Sequence, residues 1–201
     1  MTRFIKVDIR DDLSVIAELQ RTLQTVRRKS AKQRIQHIAA VFAGISEKIF
    51  EDVASRLELM PGARELVVRL RSRGYRVGII SDSYFVATEI IRRRVFADFS
   101  VAHLMRFRDG LATGGVILSP AMQHPSGCPE HVICKRNVLL HLGQQLQVNP
   151  DRMLAVGDGK PDLCMLKAAG VSVAFQPKCR GGLQMSQTSS FARTFSGLIA
   201  S

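Results

Sequence analysis

Tryptophan is absent and only two tyrosines occur among the 201 residues, which leaves little aromatic surface for stacking nucleic-acid bases. No apolar run reaches the roughly 18 residues that a membrane-spanning helix needs, so no membrane insertion is expected. Met1-Thr2-Arg3-Phe4 opens no apolar h-region; no secretory signal is expected, and the setting is read as cytoplasmic. Cysteine is sparse as well. Cys128, Cys134, Cys164 and Cys179 are too few for a disulfide scaffold and read most simply as free thiols.

Positive charge is abundant: 29 Lys and Arg against 17 Asp and Glu give a net +12. A phosphate-neutralising nucleic-acid surface is one reading of that excess. The basic residues are scattered, however, over 27–29, 69–73 and 92–94, and two of these groups share a helical segment with an apolar face. Solvated helix faces whose field draws in small anions are the favoured reading. At 46% hydrophobic and 23% charged residues the composition is that of an ordinary globular chain, long enough for one compact domain with a small appendage.

Apolar periodicity divides the chain. Leu13, Ile16, Leu19, Leu23 and Val26 recur at helical spacing, as do Ile35, Ile38, Phe42 and Ile45. A third helix is expected after Ser46 as N-cap, with Ile49, Phe50, Val53 and Leu57 on one face. Residues 1–59 therefore read as a small helical subdomain, in which 3–9 could form a short strand. From residue 60 to 201 helices and strands alternate, as in a doubly wound α/β domain. Pro61 is expected in the first turn of a helix that Gly74 stops. Strands follow over 77–80, 99–103, 153–156 and 171–175, with helices near 87–96, 130–146 and 162–169 between them. Asp109-Gly110 between two short apolar runs predicts an inserted β-hairpin.

The most specific string is Leu154-Ala155-Val156-Gly157-Asp158-Gly159-Lys160-Pro161-Asp162. A buried strand delivers one carboxylate to its C-terminal end, and a glycine turn presents a second four residues on. Hard oxygen ligands there suit Mg²⁺ together with a substrate phosphate. A turn aspartate and a helix cap explain the same residues equally well. Ser81 also ends a strand and could donate to a phosphoryl oxygen, although a lone serine there is commonly a turn residue. Lys135 could neutralise a phosphoryl group or be a solvated helix lysine.

In that order, strand and Ser81, helix and Lys135, strand and Gly-Asp-Gly-x-x-Asp, the chain resembles the haloacid dehalogenase superfamily, in its phosphoserine-phosphatase-like branch. Leu59-Met60-Pro61-Gly62 and the Phe107–Gly114 hairpin are similar to segments of that branch, and the likeness covers about 59–178. The resemblance implies a Rossmann-like, mainly parallel core, a helical cap over 1–59 and a Mg²⁺-dependent hydrolysis of phosphate monoesters. By it, Ser81 would bind the phosphate and Lys135 would stabilise its charge. Asp158 and Asp162 would serve the metal, Asp162 through the metal shell or through Lys135. The substrate would be a small phosphorylated metabolite, with phosphoserine the one suggested. Pro161 stands where the family usually has Asn.

The family's Asp-x-Asp-x-Thr/Ser nucleophile motif has one counterpart here, Asp8-Ile9-Arg10-Asp11-Asp12. Asp8 could be the nucleophile, but Arg10 occupies the position of the general acid, and a guanidinium with a pKa above about 12 does not exchange protons at neutral pH. Asp8 is read as a cap residue rather than as the nucleophile, for which it is only a weak candidate. Without its first strand the sheet would consist of two groups facing a gap with unpaired backbone. Either residues 3–9 fill that slot or the chain begins late. A catalytically silent relative that binds a phosphorylated ligand or a partner protein is accordingly the second functional reading. Finally, His124, Cys128, His131 and Cys134 offer four zinc-type ligands, but their spacing matches no common zinc motif, and a loop with incidental thiols is favoured.

Overall fold

The computed structural model describes residues 30–123, 127–175 and 189–192, the last four as backbone. The first expected helix, the strand over 3–9 and the Asp8–Asp12 string lie outside the described residues. Two helices open the described chain: α1 (Ala31–Val41) and α2 (Glu47–Arg56). Ser30 starts α1 through a capping box, its Oγ accepting from Gln33 N while the Gln33 side chain accepts from Ser30 N. Ser46 caps α2 as expected, accepting from Ile49 N. The next helix, α3 (Ala63–Ser72), begins later than expected. Gly62 is its N-cap at φ +80°, which leaves Pro61 in the preceding turn.

The α/β part runs β1 (Gly78–Tyr84), α4 (Phe85–Val95), β2 (Phe99–Arg108), β3 (Leu111–Ile117), α5 (Lys135–Leu146), β4 (Leu154–Gly157), α6 (Leu163–Ala168), β5 (Val171–Phe175) and β6 (Ser189–Ala192). Two expectations are corrected. The strand over 99–103 and the first hairpin strand are one continuous β2, whose first half pairs parallel with β1 and whose second half pairs antiparallel with β3. Asp109 and Gly110 make the turn with φ of +52° and +73°, the conformation that a two-residue hairpin demands. In addition, α5 starts at Lys135 rather than near 130. Cys134 is held extended ahead of it by its N–H bond to Met122 O.

The strands form two three-stranded sheets, β1-β2-β3 and β4-β5-β6, with β4, β5 and β6 parallel. Among the described residues β1 pairs only with β2 and β4 only with β5, so each has one edge without a strand partner. Ile80 of β1 joins the two halves by packing against both hydrophobic clusters. One cluster gathers Ile35 and Ala39 of α1 with Tyr84, Met105 and Val138; the other gathers Leu139, Ala155 and Leu166. The helical segment shares its core with the hairpin. Gly44 N bonds Ala112 O, Ala112 N bonds Ile45 O, and Phe42, Phe50, Tyr84 and Phe107 meet edge to face. Among the described residues no helix is long and apolar enough to cross a membrane.

His103 on β2 is fully buried. Its Nδ1 accepts from Ser119 N at 3.1 Å, so its proton sits on Nε2, which has no partner among the described residues. Burial pushes its pKa below the usual imidazole value, against the attraction of the Asp82 carboxylate. The unfolded chain then binds a proton below about pH 6.5 that the folded chain refuses, and stability must fall as pH drops through that value. The urea midpoint is expected to stay level from pH 8 to 7 and decline below about pH 6.5. A His103→Gln variant should lose that part of the decline; an unchanged profile would count against it.

Candidate active site

The apolar strand β4 ends at Gly157 and hands the chain to the turn over 158–161, in which Lys160–Asp162 makes one tight helical turn before α6. Asp162 is buried there. Its Oδ2 accepts from Asp158 N at 3.0 Å and Gly159 N at 3.1 Å, which folds the turn over the carboxylate. Its Oδ1 takes the Lys135 ammonium at 2.7 Å, with the two side chains 7% and 15% exposed. A charge pair so little solvated is held by geometry on both sides: three hydrogen bonds meet the carboxylate, and the first turn of α5 carries the ammonium.

Gly157 makes this possible. A Cβ at that position would lie 2.8 Å from Asp162 Cγ and 2.9 Å from Oδ2, so only glycine lets the carboxylate lie against the strand. Asp158 is exposed. Thus Lys135, Asp162 and the backbone of Asp158 form one connected unit. Ser81 does not end its strand as expected but lies in the middle of β1, in the stretch between Ile80 and Tyr84 where the register with β2 shifts, and its Oγ accepts from Ser83 N at 3.1 Å. Its neighbour Ile80 packs on the cluster that contains Ala155 of β4 and Leu139 of α5.

Sequence reading missed two supporting side chains. Asn137 is fully buried, accepting from Cys128 N at 2.6 Å and donating to Met122 O at 2.8 Å, and Arg136 donates to Gly127 O at 2.9 Å. Both tie the segment over 127–134 to the start of α5. The signal was an amide placed among the apolar residues of a helix, at Asn137-Val138-Leu139. The Cys/His group also differs from expectation. His124 lies outside the described residues, while Cys128, His131 and Cys134 are joined by Cys164 of α6.

A family model described as a haloacid dehalogenase-like hydrolase matches residues 7–170. Phosphoserine phosphatase SerB2 of Mycobacterium tuberculosis is 34% identical over 146 residues, 73% of this chain and 34% of that protein. A phosphoserine phosphatase of a Polaromonas species is 32% identical over 150 residues, 74% of this chain and 61% of that one. The chain thus spans between a third and three fifths of the length of these relatives. The crystal structure of a probable phosphoserine phosphatase from Vibrio cholerae superimposes with a TM-score of 0.71 at 26% identity, over 92% of this chain and 54% of that one. A substrate-bound phosphoserine phosphatase complex shares the fold at a TM-score of 0.70 and 19% identity, over 92% and 88% of the two chains. With a family match that runs over 7–170 and relatives above 30% identity over nearly three quarters of its length, the chain belongs to the haloacid dehalogenase-like hydrolases, in their phosphoserine-phosphatase-like branch.

Proposed function

We propose that the chain is the phosphate-handling part of a Mg²⁺-dependent phosphomonoesterase acting on a small phosphorylated metabolite, with phosphoserine as the substrate to try first. The Lys135–Asp162 pair carries the reading. The Lys135 ammonium, fixed by Asp162 at the first residue of α5, suits a phosphoryl group. Asp162 orients the ammonium and the turn; with Oδ1 on Lys135 and Oδ2 on two N–H groups, it fits the support of Lys135 better than direct metal ligation. Asp158, exposed at the end of β4, has the hard oxygen that Mg²⁺ takes along with substrate phosphate and water. When bound there, Mg²⁺ would supply positive charge to the phosphoryl oxygens. The Ser81 hydroxyl, accepting from Ser83 N, keeps its own hydrogen to donate to the phosphate. Residues 1–59 act in this reading as a cover over a core of 60–201.

A second reading is supported by Arg10 in the general-acid position: a silent relative that binds phosphorylated ligands. Turnover of an aryl phosphate and of phosphoserine with Mg²⁺ separates the two. The phosphatase reading expects turnover in the parent chain that falls by about 10²–10³-fold in Asp158→Asn. It also expects Asp8→Asn to report whether Asp8, which lies just inside the family match, serves as nucleophile. A parent chain without turnover whose melting temperature rises with phosphoserine supports the binding reading instead.

A further inference from the structure

We propose that Cys128, His131, Cys134 and Cys164 form a closed, structural zinc site behind the Lys135–Asp162 pair. Three of the residues stand in the pattern Cys-x2-His-x2-Cys on the segment that leads into α5; the fourth is the second residue of α6. One ligand atom from each lies within 4.8 Å of all the others. His131 Nδ1 is 3.5 Å from Cys128 Sγ and 3.5 Å from Cys164 Sγ. Tetrahedral zinc, with bonds of about 2.3 Å to sulfur and 2.0–2.1 Å to nitrogen, places such atoms about 3.6 Å apart. The two contacts of His131 therefore have the spacing of ligands around an ion, and the group as a whole lies within the 4.8 Å that a small movement would close around one. A disulfide would instead bring one pair of sulfurs to about 2.05 Å and leave the third thiol and the imidazole unexplained; all three cysteines are free thiols.

The chemistry of the donor set selects the ion. Three thiolates and an imidazole are soft to borderline ligands that suit zinc and do not suit Mg²⁺, which separates this site from the carboxylates at the end of β4. Backbone N–H groups of Glu130 and His131 are directed at Cys128, and that of Arg136 at Cys134. The segment itself is prepared by Asn137 and Arg136, which fasten Cys128 and Gly127 to α5 before any metal arrives. Four protein ligands leave no open position for substrate, as in structural zinc sites. The placement gives the site a purpose. Cys134 directly precedes Lys135 and Cys164 follows Asp162 by two residues, so an ion held by both pins the start of α5 to the start of α6 and fixes the ion pair from behind. This inference does not depend on the chain being catalytic.

The test is metal analysis of the full chain, purified under reducing conditions without chelator. One zinc per chain is expected after dialysis, and Co²⁺ added to the chelator-stripped chain should bind one to one with thiolate charge-transfer bands and the strong visible absorption of tetrahedral cobalt. Cys164→Ser should weaken that binding by more than the roughly 10–100-fold that losing a residue hydrogen-bonded to a ligand costs; Asp158→Asn should leave it untouched. Substoichiometric zinc, a weak octahedral cobalt spectrum, equal cobalt affinity in Cys164→Ser, or a Cys128–Cys164 disulfide under the reducing conditions would each overturn the site. Because the cobalt titration uses the parent chain, it decides the matter even where the serine variant fails to fold.

Discussion

Asp162→Ala is expected to cost about 3–5 kcal/mol of folding stability, the penalty for leaving one member of a buried pair without its partner. Two defects arise together. The Lys135 ammonium, 15% exposed, loses its counter-charge, and the N–H groups of Asp158 and Gly159 lose their acceptor. Against a total stability of about 5–15 kcal/mol for a domain, the change should be plain in urea denaturation. Lys135→Met should cost less, since it removes the charge and leaves both N–H bonds to Asp162 intact. Asp162→Asn supplies the sharper contrast. An amide that still accepts from the two backbone donors must turn its NH₂ toward the Lys135 ammonium, donor against donor. In a Lys135→Met background that conflict is gone, so the cost of Asp162→Asn should shrink markedly, giving a coupling energy of about 1–3 kcal/mol between the positions. Additive effects, or an Asp162→Ala variant within about 0.5 kcal/mol of the parent, would show that water already satisfies the pair.

What could be read from sequence, and what could not, follows the reach of each signal. The end of β4 was legible because an apolar run closed by Gly157-Asp158-Gly159 leaves the chain few options but a strand and a turn. The hairpin was legible because Asp109-Gly110 accepts the positive φ that its turn requires. Both signals are local. The start of α5 was misplaced because Val132 and Ile133 continue the apolar pattern toward the N-terminus, while the interaction that stops the helix, Cys134 N to Met122 O, comes from a distant segment. The same limit hid Cys164. Thirty residues separate it from Cys134, and only the packing of α6 beside the head of α5 makes them neighbours. The edges of β1 and β4 have no strand partner among the described residues, and the segment expected to lie between them, residues 3–9, is outside those residues. The helices over 31–41 and 47–56 were legible from their apolar spacing, but their aromatic seam with the hairpin was not. Nothing in the spacing of Phe42 and Phe50 says that Phe107 will meet them.

Gly157→Ala should damage the site from the other side, through one added methyl group. The backbone of Gly157 is ordinary for a strand, so alanine meets no conformational penalty there; the obstacle is Asp162, whose Cγ and Oδ2 lie 2.8 and 2.9 Å from the new carbon. Such atoms cannot share the space, and Asp162 cannot retreat without giving up Lys135 or the two N–H groups of its own turn. Overpacking of this kind costs about 1–3 kcal/mol. Its larger consequence is functional. With Asp162 displaced, Lys135 loses the contact that aims it, and a chain that hydrolyses phosphate esters or responds to phosphoserine should lose that property while it remains folded. The cause can be isolated by removing the obstructing side chain. In an Asp162→Gly background the added methyl meets none of these atoms, so Gly157→Ala should become nearly neutral in stability there. If alanine costs the same in both backgrounds, the clash with Asp162 is not the reason that glycine occupies the end of β4.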